Sequence, residues 1–232
     1  MERSLPINSD ILQMEINILF EDSDILVVDK PSGIAVLPEG WNPSVPYLKN
    51  LLETSFDRLW IVHRLDKITS GVFVLARNAA AHRSLNIQFE HHQIAKKYHT
   101  ILVGVPDWSE KRASQPLKQN SGHSHRTVVD WTNGKQAFTN FRVLQTSRGY
   151  TFAEASPETG RTHQIRVHSS ALGYPILADG LYGSPPTEII SRPALHARSL
   201  RFNHPINGQN MEIIAPYPAD FKQALLEIRF RS

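Results

Sequence analysis

HRLDKITSGVFVLA, residues 63–76, gathers His63, Arg64, Asp66 and Lys67 within five positions and then runs directly into an unbroken apolar segment. Val72 to Ala76 is β-branched-rich and too short for a buried helix, so it reads as a buried strand. The Thr69-Ser70-Gly71 turn sets the charged cluster at the mouth of that strand. Loops at strand ends on a rigid sheet are where functional side chains collect. Between Arg64 and Lys67, Asp66 reads as a nucleophile or an electrostatic partner rather than a proton donor. The plainer alternative is an Arg64–Asp66 pair that anchors a loop.

Upstream, Ile16–Phe20 and Ile25–Asp29 are expected strands joined by Glu21-Asp22-Ser23-Asp24, and Lys30-Pro31-Ser32-Gly33 stops the second. PEGWNPSVP reads as loop, and residues 47–56 as a short helix. Downstream, Asn78 is placed to cap the helix AAAHRSLNIQFEHH, with Leu85 and Phe89 four residues apart. Strands are expected in KYHTILVGV, RTVVDW, AFTNFRVL, YTFAEAS and HARSLRF, and MEIIAP closes the sheet. ADFKQALLEIRF is an amphipathic helix with Ala219, Leu225, Leu226 and Ile228 as core candidates. Strands outnumber helices and mostly follow one another, which predicts an α+β domain on a largely antiparallel sheet. Residues 1–12 are expected to be a loose tail and residues 13–232 one catalytic domain, with the basic stretch Ser109–Arg126 as its most loop-like part.

The 232 residues carry 25 Lys and Arg against 22 Asp and Glu, a net charge of +3 with a further 11 histidines. That balance permits a nucleic-acid partner without requiring one. The absence of cysteine removes disulfides, thiolate nucleophiles and Cys-ligated zinc. No stretch approaches the roughly 20 apolar residues of a membrane span, and the N-terminal sequence has no signal-peptide pattern, so a cytoplasmic location is expected.

A second constellation is ETGRTHQIRVHSSALG, residues 158–173. Thr162 can cap a helix that Gly173 ends, with Ile165, Val167, Ala171 and Leu172 as its buried stripe. His163, Arg166 and Ser170 then share a face. Arginines at a helix start, beside free backbone N–H groups, make an anion site for a phosphate or for the Asp66 carboxylate. A solvated basic helix end would account for Arg161 better than for Arg166. His163 and His168 are not at metal-ligand spacing, His91-His92 and His123-Ser124-His125 lie in polar stretches, and no metal is implied. Lys96-Lys97-Tyr98-His99 opens a strand with cations beside an aromatic ring, a pattern that serves core packing or base stacking. Phosphate-cradling glycine motifs are missing.

Together these segments resemble the RluA-type RNA pseudouridine synthases. The matching stretches are ILVVDKPSGIAV, HRLDKITSG with VFVLARN, KKYHTILVG, PETGRTHQIRVHSSALGYPILADGLYG and ALHARSLRFNHP, from about residue 16 to 216. The resemblance implies a single domain with a central mixed, mostly antiparallel sheet, flanking helices and an RNA-binding cleft. It implies that Asp66 is the catalytic carboxylate, that Arg166 pairs with and holds it, and that Tyr98 stacks on the flipped uracil. Arg64 is implied to fill the space the target uridine vacates, and Arg161, His163 and Lys97 are the further candidates for RNA contact.

The reaction implied is isomerisation of uridine in ribosomal or transfer RNA after base flipping, with no cofactor, no metal and a monomeric enzyme. Leu37 stands where relatives often have histidine, and Ala178 where they have glycine before Asp179-Gly180. Two other readings remain: a glycoside hydrolase, for which Glu158 or Asp179 would be the second acid, and an RNA-binding module without catalysis, whose affinity would fall with salt.

Overall fold

The structure is a computed structural model describing residues 3–9, 12–38, 45–119 and 126–230. His123 and His125, and most of the PEGWNPSVP loop, lie outside the described residues. The chain divides into two compact units, residues 1–95 with 197–216 and residues 96–196 with 217–232.

The first unit opens with β1 (Arg3–Ser9), β2 (Leu12–Glu21) and β3 (Ile25–Lys30), followed by α1 (Leu48–Leu52), β4 (Trp60–Ile61), β5 (Ser70–Ala76) and α2 (Ala79–Glu90). Antiparallel ladders join β1 to β2, β2 to β3 and β3 to β5, with β4 added along the end of β5. The expected loose tail is therefore corrected in part: residues 3–9 are a strand paired with β2. All seven residues of β5 are buried, as a strand covered on both faces requires. Val72, Val74 and Ala76 pack with Ile25, Val27, Leu85 and Phe202 in one apolar cluster. Burying each large side chain of that kind contributes roughly 1.5–3 kcal/mol.

α2 starts where the sequence places it, because the Asn78 side chain accepts from the Ala81 N–H at 2.9 Å. Its Gln88 is buried and exchanges two hydrogen bonds with the Asn203 backbone, at 2.9 and 3.0 Å.

The second unit carries β6 (Ala95–Val103), β7 (Glu110–Ala113), β8 (Leu117–Gln119), β9 (Thr127–Val129), β10 (Thr139–Ser147), β11 (Tyr150–Pro157) and α3 (Gln164–Ala171), then the start of β12 (Leu195–Asn203) and α4 (Ala219–Ile228), with β13 (Asn210–Ile214) lying between these two in the sequence. β12 begins here, continues into the first unit and pairs there with β13, also a first-unit strand. Within the second unit the order is β6-β11-β10-β7, every pair antiparallel, and β8 and β9 form a separate small ribbon.

Ser109–Arg126 is thus less loop-like than its composition suggests, since β7 and β8 lie within it. The strand expected in RTVVDW ends at Val129, where Asp130 accepts from the Thr132 and Asn133 N–H groups and turns the chain. α4 buries Phe221, Ala224, Leu225 and Ile228. Ala219 and Leu226 are exposed instead, because they lie off the stripe of Phe221, Ala224, Leu225 and Ile228.

Candidate active site

In the first unit the Asp66 turn is built from both sides. His63 stacks between Phe73 and Phe89, with ring centroids 4.3 and 4.7 Å away, and its Nε2 accepts the Val74 N–H at 3.1 Å. An accepting Nε2 places the proton of the neutral imidazole on Nδ1. The histidine of the motif is thus an anchor to β5. Leu65 is buried beneath the turn, which the Thr69 N–H closes onto the Asp66 carbonyl at 3.0 Å. Asp66 itself is half-buried, and Arg64 and Lys67 are exposed.

The KPSG segment grips the same turn. Lys30 is fully buried, and its Nζ donates to the carbonyls of Pro31, Ile34 and Lys67 at 2.8, 2.9 and 3.3 Å. Ser32 Oγ donates to Ile68 O at 2.7 Å, and the Gly33 N–H donates to Lys67 O at 2.8 Å. Gly33 adopts φ +90°, in the left-handed region that favours glycine. Gly71 sits at φ +115°, and a Cβ there would overlap the Ala197 backbone. Only glycine fits between the turn and β12.

In the second unit, α3 begins at Gln164 and its N-cap is His163, in the left-handed conformation at φ +53°. Thr162 is not the cap. The reason is Gln164, whose buried Oε1 accepts from Thr159 Oγ1 at 2.7 Å and from the Arg161 N–H at 3.0 Å. Its Nε2 donates to Phe138 O and Thr139 Oγ1, both at 2.9 Å. That clamp ties the ETGRT loop down before the helix can start. Gly173 ends the helix at φ +89°, as read from the sequence. The buried residues are Gln164 to Ser169; Ala171 is exposed and Leu172 half-buried, so they do not complete the expected stripe.

Arg166 is 5% exposed. Its Nε and Nη2 donate to Oδ2 and Oδ1 of Asp179 at 2.7 and 2.8 Å, a bidentate fork on a carboxylate that is 1% exposed. Its guanidinium carbon lies 4.9 Å from the centre of the Tyr182 ring. His163 Nδ1 is 2.8 Å from Tyr182 Oη, and Ser170 Oγ donates to Tyr182 O at 2.7 Å. The shared face of His163, Arg166 and Ser170 is real, and what it meets is Tyr182.

Beyond Asp179 as a candidate second acid of a hydrolase, Asp179 and Tyr182 have no assigned part on sequence grounds, because nothing local in ADGLYG announces a partner across 13 residues. The buried Gln164 and Lys30 escape notice for the same reason. Ala178, before Asp179, has φ +64°, the conformation that a glycine at this position would take without strain.

Tyr98 is half-buried on β6, packed against the apolar cluster of this unit. Lys97 is exposed, with Nζ 3.7 Å from Glu154. Arg161 is exposed and donates from Nε to Gln136 O at 3.2 Å. Lys96 Nζ donates to Thr159 O at 3.2 Å, and burial pushes its pKa down to about 8.

His168 is buried between Thr139 and Gln115, and burial lowers its pKa. Among the described residues, one group of ligand-type side chains, Asp22, Asp24 and His204, clusters within 4.8 Å. Its atoms are already hydrogen-bonded to one another and to Asn78 and Ser23, which gives no ground for a metal.

The α+β fold is that of solved pseudouridine synthase structures. Residues 24–171 match the family described as RNA pseudouridylate synthase. The chain is 36% identical to the ribosomal large subunit pseudouridine synthase D of Haemophilus ducreyi, covering 90% of this chain and 70% of that protein. It is 37% identical to the protein of the same name from Pseudomonas aeruginosa, covering 93% and 72%. Among solved structures, Human RNA Pseudouridylate Synthase Domain Containing 4 matches with a TM-score of 0.76 at 26% identity, over 93% of this chain and 94% of that one. The chain belongs to the RNA pseudouridylate synthase family, isomerases that act on uridine in RNA.

Proposed function

We propose that this protein isomerises specific uridines of ribosomal or transfer RNA to pseudouridine after flipping each target base out of its stack, with Asp66 as the catalytic carboxylate. The observation that carries the reading is the family match over residues 24–171, which contains both HRLD and GRTHQIR. Relatives named for the large ribosomal subunit favour ribosomal RNA as the first substrate to test.

In the reaction the glycosidic C–N bond breaks, uracil turns, a C–C bond forms to its C5, and the C5 proton is exchanged for one on the released nitrogen. Nothing is gained or lost, so the chemistry needs no cofactor. A base must leave the stack before its glycosidic bond can be reached. Arg64, exposed beside the Asp66 turn, suits the role of filling the vacated space. Tyr98 would stack on the uracil, Arg166 would hold Asp66, and Lys97, Arg161 and His163 would meet the RNA. The enzyme would act as a monomer.

The hydrolase reading loses support at both of its candidate second acids. Both oxygens of Asp179 accept from Arg166, which is not how a proton donor is held. Glu158 is paired with Arg112 and Asn140 on the surface.

The test is to map pseudouridine in ribosomal and transfer RNA from cells with and without the gene, and in cells carrying Asp66→Asn. Loss of the same site in the deletion and in D66N is expected. A site that survives D66N would overturn the assignment of Asp66, and no dependent site in either RNA class would overturn the substrate.

A further inference from the structure

Arg166 is held on two sides by residues to which the reaction assigns no part. Asp179 takes its Nε–Nη2 edge, and its guanidinium carbon lies over the Tyr182 ring at 4.9 Å from the ring centre. A bidentate fork fixes the plane of a guanidinium, and an aromatic ring beneath its carbon holds its position by cation–π attraction. Arg166, Asp179 and Tyr182 are respectively 5%, 1% and 3% exposed. Burial of this depth is costly for a charged pair, and replacing such a pair by apolar residues is often neutral or stabilising. Stability alone is a weak reason for the arrangement.

Tyr182 is itself fixed. The Thr127 N–H donates to its Oη at 3.0 Å, and Nδ1 of His163 is 2.8 Å from the same oxygen. Tyr182 also packs with Leu117, Ala137 and Val167, so the clamp is seated on the β8–β9 ribbon.

We infer that Asp179 and Tyr182 are positioning residues for the reaction: together they orient the Arg166 guanidinium, and through Thr127 and His163 they tie it to the β8–β9 ribbon and to the turn before α3. The inference rests on the proposed role of Arg166 and adds the parts that hold it. Asp179 works through Arg166 and touches no reacting atom. Its carboxylate and the Tyr182 ring form a slot shaped for one guanidinium.

That slot gives a test independent of stability. Single-turnover rates and RNA affinities are measured for R166A, D179N, Y182F and R166A/D179N, with folding followed by circular dichroism, and methylguanidinium is then added at millimolar concentration. D179N is expected to slow the reaction about 100-fold, and Y182F about 10-fold, with RNA affinity little changed. Methylguanidinium is expected to restore part of the activity of R166A and none of that of R166A/D179N.

Wild-type rates in both D179N and Y182F, or equal rescue with and without Asp179, would overturn the inference. So would equal losses of rate and affinity. Should D179N fail to fold, Y182F, which keeps the ring and removes the hydroxyl, decides by the same split. Failure of the functional reading is distinct, since there the wild-type protein itself forms no pseudouridine.

Discussion

The buried ammonium of Lys30 donates to the carbonyl of Lys67 at 3.3 Å, one residue beyond Asp66. With its bonds to Pro31 O and Ile34 O it makes one cation the common support of two loops. Lys30→Met keeps length and loses every donor, leaving buried carbonyls without this partner. A loss of about 2–4 kcal/mol in stability is expected. Urea denaturation checks that value, and the folded fraction of the variant is expected to turn over more slowly than wild type because the Asp66 turn is loosened.

Asp29, next to Lys30, has its carboxyl pushed up from 3.8 to about 6 by burial, an effect the Lys30 charge only partly offsets. Its folded-state pKa is raised, so between these two values the folded chain keeps a proton that the unfolded chain has released. Stability therefore falls as pH rises from about 4 to about 6 and levels off above that. Asp29→Asn removes the titration and is expected to gain about 1–3 kcal/mol at neutral pH, and little below pH 4. Denaturation midpoints compared across that range measure it.

Ala178 occupies the left-handed region at φ +64°, next to the carboxylate that holds Arg166. Ala178→Gly relieves that strain and is expected to raise stability by about 1 kcal/mol, read as a higher thermal midpoint, with turnover unchanged.

Lys97 has an exposed side chain on β6, one position before Tyr98. If it meets a phosphate, Lys97→Ala lowers the slope of log affinity against log salt by about one and weakens binding to all RNAs alike. Salt titrations of RNA affinity give the slope, and an unchanged slope removes Lys97 from the interface.

What the sequence makes legible follows the range of the interactions. β5 is written in its own apolar run, Asn78 in the cap three residues before Ala81, and Gly173 in the left-handed stop after α3. Such features are local, and their physics fits in a few residues. Thr162 looks like a better cap than His163, but Gln164 reaches back to Thr159 and to Phe138 and moves the helix start. The partners of Arg166 likewise come from the ADGLYG segment, which has no periodicity to read. A lysine directly before Pro-Ser-Gly looks solvated, and only the folded loops show that its ammonium is enclosed.

The first unit takes residues 1–95 and then 197–216, and Gly71 is set against the backbone of Ala197. A ribosome making this chain finishes HRLDKITSG long before it makes the strand that closes over it. The turn bearing Asp66 thus waits for a late piece of chain. During synthesis that turn is expected to stay incomplete until β12 has emerged.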